Sequence, residues 1–246
     1  MSTPKPLSSL LPGGLPPVDD DALAGGDASS AEAPMRRVSP EQEAERRVAA
    51  YRRHLHAAGI HERFAPVRLA GLAADGDAAY AKVAASVGRW AAASGRMEDR
   101  AGRLRTGILL TGDFGVGKTT IATAAFKELL WRTGRPGLWR KTYAALRYVQ
   151  AGYASGEGDT RLRELQTTHS LLLDDVGDVE QPGETDDRAR LLYEILDTRS
   201  DRLLPTILTS NLGTEGLAAL LGTRTTERIR EMCAHFETEG RNRRLS

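Results

Sequence analysis

The chain has 246 residues, 40% of them apolar and 27% charged, with a formal net charge of +1. That length allows one ordinary domain with an appendage, or two small domains. No apolar run approaches the ~18 residues of a membrane helix, and the polar, proline-rich stretch Met1–Leu11 lacks the apolar core of a secretory leader. Cys233 is the lone cysteine, which excludes an internal disulfide framework and a zinc ribbon of paired cysteines. A cytoplasmic protein without membrane contact is expected. The balance of 34 basic and 33 acidic residues leaves partners open, since the two signs can segregate on a surface.

The first 40 residues hold seven of the eleven prolines, the acid run Asp19-Asp20-Asp21 and no aromatic residue. Such a segment cannot bury enough apolar surface to offset the entropy of ordering it, so a disordered tail is expected. Order is expected from Ser39. Ser39-Pro40-Glu41-Gln42 combines an N-cap serine, a proline at the first helical position and a glutamine at the capping-box position. The spacing predicts a helix over Glu41–Ala58, rich in arginine (Arg46, Arg47, Arg52, Arg53), with Val48, Tyr51 and Leu55 on one stripe. A second helix is expected at about Ala78–Ala93, capped by Asp77, with the stripe Tyr80, Val83, Val87 and Trp90. Between Glu41 and Thr106 twelve Lys/Arg face eight Asp/Glu, a surplus that a solvated helical face explains.

From Gly107 the pattern changes to short apolar strands alternating with helices. Strands are predicted at Gly107–Thr111, Gly137–Lys141, Ser170–Asp174 and Thr206–Ser210. Helices fill the gaps at Lys118–Thr133, Tyr143–Ala151, Thr160–Thr167 and Asp187–Arg199. This alternation specifies an α/β fold with a parallel sheet flanked by helices. Two further helical stretches, Thr214–Leu221 and Thr226–His235, and a strand His235–Glu239 precede the basic end Arg241-Asn242-Arg243-Arg244.

Gly112-Asp113-Phe114-Gly115-Val116-Gly117-Lys118-Thr119 fits the phosphate-loop pattern G-x-x-x-x-G-K-[ST]. By average residue usage roughly one chain in a hundred of this length matches by accident. Here the match follows an apolar strand and opens an amphipathic helix, as the chemistry requires. Glycines let backbone N–H groups turn inward around phosphates, and the helix N-terminus favours negative charge. Lys118 is expected on the β- and γ-phosphates, the Thr119 hydroxyl on magnesium, and Thr120 in the same first turn. A nucleoside triphosphatase of this kind also needs an acid on the far side of the metal. The strand Ser170–Asp174 ends in two, Asp174 for the magnesium shell and Asp175 to orient or deprotonate the attacking water. Thr206–Ser210 is expected to sit between the two preceding strands, which brings Asn211 toward the γ-phosphate. Each of these also has a plainer use, the acids as loop caps and the asparagine as a turn former.

The phosphate loop, Leu171-Leu172-Leu173-Asp174-Asp175-Val176-Gly177, Thr209-Ser210-Asn211, Glu227-Arg228-Ile229-Arg230 and the arginine-rich end together resemble the bacterial replicative helicase loaders of the DnaC/DnaI type, which are AAA+ ATPases. The similarity spans about Ala70 to Arg244. Composition and periodicity set apart a tail over 1–38 and a helical N-terminal element over 39–69, a candidate for helicase binding, and the resemblance implies a P-loop AAA+ ATPase domain over 70–246. It implies ATP and Mg2+ as ligands, and a replicative DNA helicase, single-stranded DNA and further copies of this chain as partners. Asn211 takes the sensor I position, Arg228 the arginine finger with Arg224 assisting, and Arg244 the sensor II position with Arg243 beside it. The arginines have a competing use, in solvated ion pairs with Glu227 and Glu231. Aspartate at 175, where AAA+ proteins more widely carry glutamate, implies slow hydrolysis. A closely related alternative is the IstB-type ATP-binding helper of DNA transposition. A small-molecule phosphotransferase is a third reading, though it has no use for arginines that act across subunits.

Overall fold

The computed structural model describes residues 39–177 and 185–243. The chain divides into two units, Met1–Ala50 and Tyr51–Ser246. The tail expected over 1–38 lies outside the described residues. In the first unit helix α1, Pro40–Ala58, begins with the capping box that the sequence specifies. The Gln42 N–H donates to Ser39 Oγ and the Ser39 N–H to Gln42 Oε1, each at 3.2 Å.

In the second unit a single 3-10 turn at Glu62–Phe64 and the short helix α2, Leu69–Ala73, lead to α3, Ala78–Ala92. Asp77 caps α3, its Oδ1 accepting the Tyr80 N–H at 3.2 Å. Tyr80, Ala84, Val87 and Trp90 form the buried stripe, while Val83 stays half-buried at its edge.

A hairpin not foreseen from the sequence follows, β1 Met97–Glu98 paired antiparallel with β2 Leu104–Arg105. These strands are two residues each, too short to show a period. Asp99 organises the turn by accepting the N–H groups of Ala101 and Arg103 and pairing with Arg105 at 2.6 Å. These contacts hold the Asp99 carboxyl well below the usual carboxylate range.

The main sheet is parallel, in the order β4-β5-β6-β3-β7. Its strands are β3 Gly107–Thr111, β4 Gly137–Lys141, β5 Ser170–Asp174, β6 Thr206–Thr209 and β7 Cys233–Glu237. The connecting helices are α4 Lys118–Thr133, α5 Thr142–Tyr153, α6 Gly158–Thr167, α7 Thr185–Asp201 and α8 Thr214–Met232. The three central strands β3, β5 and β6 are buried along their whole length, as expected of a sheet covered on both faces. Leu109, Leu171, Leu173 and Leu208 pack with apolar residues of α5 to α8 on one face. The alternate residues Ile108, Leu110, Leu172 and Ile207, fully buried, face the other side, where α4 crosses β3, β5 and β6.

The last two elements shift from their predicted bounds. The helix expected to run to His235 stops at Met232, and the strand spans Cys233–Glu237 rather than His235–Glu239. Register with β3 decides this, since Gly107 aligns with Cys233 and offers no side chain where the Cys233 sulfur sits. The two helical stretches foreseen here form one span broken at Gly222, whose φ of 77° and ψ of 164° no helix accommodates. Arg105 closes the end of α8, donating to the carbonyls of Arg230, at 2.7 Å, and Glu231.

Arg199 of α7 fastens the entry of the sheet. It is fully buried and donates to the carbonyls of Leu165, Thr168, His169 and Pro205 and to Thr206 Oγ1. Burial pushes its guanidinium down to about 9, a cost that five hydrogen bonds offset.

Candidate functional site

The loop between β3 and α4 carries the phosphate-binding pattern. Gly117 precedes α4 with φ of 100°, a left-handed conformation that glycine adopts without strain. A Cβ there would also press on the Tyr80 ring at 2.8 Å and on Arg243 Cδ at 3.1 Å. Gly115 is equally confined, because the Asn242 side chain occupies the space a Cβ would take. No side chain caps the first turn of α4, so its N–H groups are left for an anionic ligand. Lys118 is nearly buried and donates to the carbonyls of Gly112, at 2.7 Å, and Asp113, at 2.6 Å. Val116 is turned into the core, whereas Phe114 is 68% exposed.

The strand ends supply the acids. Asp174 is fully buried, and its Oδ1 accepts the hydroxyls of Thr119 at 2.8 Å and Thr209 at 2.7 Å. Its Oδ2 accepts no hydrogen bond and meets only the Lys141 ammonium at 3.3 Å. Asp175 has φ of 57°, held by its N–H on Thr209 Oγ1 at 2.9 Å, and its carboxylate pairs closely with the same Lys141. Burial alone lowers Lys141, but the two carboxylates prevail and raise it above the ordinary amine value.

A cleft of about 290 Å³ gathers these groups. Phe114, Gly115, Gly117, Lys118, Thr119 and Thr120 of the loop and the start of α4 line it together with Asp175 and Asn211 from the strand ends. Asp174 lies beneath, reached through Thr119. Gly112, Asp113 and Val116 complete the loop without lining the cleft.

Four further residues line the cleft: Arg63, Phe64 and Val67, which belong to no motif, and Arg243, from the arginine-rich end beside the predicted sensor II position. Arg243 stacks on Tyr80 at 3.6 Å and pairs with Asp75 at 2.8 Å and Asp77 at 3.4 Å. Its N–H donates to the Gly115 carbonyl at 2.8 Å. The Arg243 hydrogen bond, with one from the Asp77 N–H, lowers Asp75 to about 2. Arg244, the predicted sensor II residue, lies outside the described residues. Lys141 also escaped the sequence reading, since a lysine ending a strand has no signature until the sheet sets it beside the acids.

Arg228 and Arg224 lie away from this cleft, on the second half of α8. Arg228 pairs with Asp197 at 2.5 Å and Glu231 at 3.1 Å, and Arg224 stacks on Tyr193 at 4.1 Å. Burial alone lowers Arg228, but Tyr193, Asp197 and Glu231 raise it above its ordinary value. The remaining pair, Arg230 with Glu227, closes at 2.9 Å.

The residues present fit a nucleoside triphosphate with magnesium. The uncapped helix start and Lys118 suit phosphates. The buried Asp174 Oδ2 accepts no hydrogen bond, although Lys141 lies at ion-pair distance, and the other oxygen of that carboxylate binds the Thr119 hydroxyl. Among the described residues no group of three His, Cys, Asp or Glu could hold a metal. Magnesium here would therefore draw most of its ligands from phosphate oxygens and water. No described helix is long and apolar enough to cross a membrane.

The family model of the IstB-like ATP binding protein matches residues 103–245. Similar solved structures include the DnaC helicase loader, at 21% identity and a TM-score of 0.62 over 73% of this chain and 100% of that one. DnaI matches at 25% identity and a TM-score of 0.59, over 75% of this chain and 94% of that one. A protein of Streptococcus pyogenes serotype M3, described as a candidate primosome component, matches at 23% identity and a TM-score of 0.58, over 76% and 93%. No curated protein matches the chain significantly in sequence.

Proposed function

The chain belongs to the family of IstB-like ATP-binding proteins and has the P-loop AAA+ fold, and from that premise we propose that it hydrolyses ATP to load a replicative DNA helicase onto single-stranded DNA. The observation that carries the ATPase half is the meeting of Lys118, Thr119, Asp175 and Asn211 in one cleft above the buried Asp174. The loader half is supported by the likeness to DnaI over 94% of that chain.

In this reading Lys118 exchanges the loop carbonyls for the β- and γ-phosphate oxygens. Thr119 and Asp174 hold magnesium, which when bound neutralises phosphate charge. Asp175 takes the proton of the attacking water, and Asn211 orients that water. The Lys141 ion pair must loosen before Asp175 can act as a base, and its side chain is one methylene shorter than glutamate. Both features favour slow turnover. Arg228, with Arg224 assisting, stabilises charge on the nucleotide of an adjacent copy, and Arg244 contacts the chain's own nucleotide. The arginine-rich element 39–69 faces the helicase.

The family match favours a second reading, an ATP-dependent helper of DNA transposition. Co-purification separates the two. With ATP, the tagged full chain should capture a replicative helicase and show hydrolysis that responds to single-stranded DNA. Capture of a transposase instead, with a response only to duplex DNA, would establish the helper.

A further inference from the structure

One wall of the cleft is the segment Arg63–Val67, and its conformation depends on a residue far away in sequence. Lys127 lies on α4 about two and a half turns beyond Lys118. Its ammonium donates to the main-chain carbonyls of Phe64 at 2.8 Å, Ala65 at 2.7 Å and Val67 at 2.9 Å. Those three bonds use every donor a lysine has. The side chain is only 4% exposed. Among the described residues no carboxylate forms an ion pair with it. Arg68 reaches two of the same carbonyls, Ala65 at 3.0 Å and Val67 at 3.1 Å. Burial pushes the Lys127 amine down to about 8, and the Arg68 charge adds to the effect.

A buried ammonium without a counter-ion is a costly way to fill space that a leucine or methionine would fill without penalty. What it provides is a fixed geometry for three carbonyl acceptors within four residues. The segment so fixed brings Phe64 and Val67 to the cleft, which beyond the phosphate loop, Asp175 and Asn211 is lined by Arg63, Phe64, Val67 and Arg243. A nucleotide whose phosphates lie on the loop has its base and sugar left for that remaining part. Apolar and aromatic side chains are suited to a base there.

We propose that Lys127 is a positioning residue for nucleotide binding, locking the Phe64–Val67 wall to the helix that bears the phosphate loop and so setting the distance between the phosphate end and the nucleoside end of the site. The inference rests on reading this cleft as a nucleoside triphosphate site, and it adds a residue that touches no ligand. One helix then determines both ends, through its N-terminus and through a side chain in its middle.

The test compares ATP with inorganic tripolyphosphate, which has the phosphates and no nucleoside, by calorimetric titration with magnesium on the full chain. Lys127→Met keeps length and apolar bulk and removes all three donors. It should weaken ATP roughly tenfold, the size expected from losing hydrogen bonds that hold a binding wall, and leave tripolyphosphate within about twofold. Lys127→Arg keeps donors but in a planar fork, and should fall between the two. If Lys127→Met does not fold, Lys127→Gln gives the same comparison with fewer donors lost. Equal weakening of both ligands, as general loosening produces, overturns the positioning role, and so does unchanged ATP affinity. Failure of the parent chain to bind either ligand overturns the nucleotide site itself and this inference with it.

Discussion

The two ends of the cleft are held in different ways. At the phosphate end the shape is local: consecutive residues from Gly112 to Thr119, three glycines at positive φ, and the start of a helix. At the other wall Phe64, Ala65 and Val67 are tied locally only by single-turn main-chain bonds, and their carbonyls are gathered by a lysine some sixty residues away. Arg243 makes a second connection of this long-range kind, tying the chain's last described residue to Asp75 and Tyr80. A site built this way separates an invariant chemical task, gripping phosphates, from an adjustable one, shaping what surrounds the rest of the ligand. Local backbone geometry is stiff because it costs little entropy to maintain once the helix forms. A wall held by side chains can be loosened one bond at a time.

The strongest test of that contrast removes the cation from the stiff end. Lys118→Ala should lower ATP and tripolyphosphate affinity together, by about a hundredfold or more, since a charge-assisted contact to phosphate is lost and nothing in the loop replaces it. Titration of both ligands reads this directly. A loss confined to ATP would mean that the two ends do not divide the work as argued. Asp175→Asn should leave binding of both ligands nearly intact and slow steady-state hydrolysis by about a hundredfold or more, because the shape remains and the base is gone. Normal turnover in that variant would move the proton acceptor elsewhere.

How far each end could be read from the sequence follows from the same contrast. Gly112–Thr119, Asp174 and the alternation of strands with helices were legible because each is written in adjacent residues: a loop pattern, an apolar run ending in acid, an alternation of period and length. The position of β6 between β5 and β3 places Asn211 in the cleft as the strand order required. Phe64, Val67, Lys127 and Lys141 were not legible. Each acquires its role only when two distant segments meet, and a lysine in an amphipathic helix looks the same whether it faces water or three carbonyls. Arg199 is hidden for the same reason, since its five acceptors come from two separate stretches, residues 165–169 and 205–206.

Arg228 belongs to neither end, and its variant asks whether a third part of the site comes from another copy. Arg228→Ala should bind ATP as the parent does and hydrolyse it more slowly, by up to about a thousandfold for a finger acting in trans. The ion pairs with Asp197 and Glu231 lost in the variant are exposed enough to contribute little to stability. Mixing Arg228→Ala with Lys118→Ala should restore some activity, because one keeps a competent pocket and the other a competent finger. Co-assembly without any recovery would confine Arg228 to its intramolecular ion pairs.

The smallest expected effect concerns the Arg243 tie and is read through acid titration. The hydrogen bond from Arg243 is the largest cause of the fall of Asp75 from 3.8 to about 2. A carboxylate whose pKa is depressed in the folded state binds fewer protons there than in the unfolded chain. The stability it contributes is therefore fully present above about pH 4 and is lost as the pH falls through about 2. Arg243→Gln removes the guanidinium and should return Asp75 toward its ordinary value, so this part of the acid dependence shrinks. Denaturation midpoints of parent and variant should differ slightly above pH 4 and converge toward pH 2. The pair is solvent-accessible, so added salt should narrow the gap further. If the difference instead grows as the pH falls, or is indifferent to salt, Arg243 stabilises the fold through its stacking on Tyr80 rather than through Asp75. The long-range tie beside the phosphate loop would then be an aromatic contact, with no dependence on the carboxylate at all.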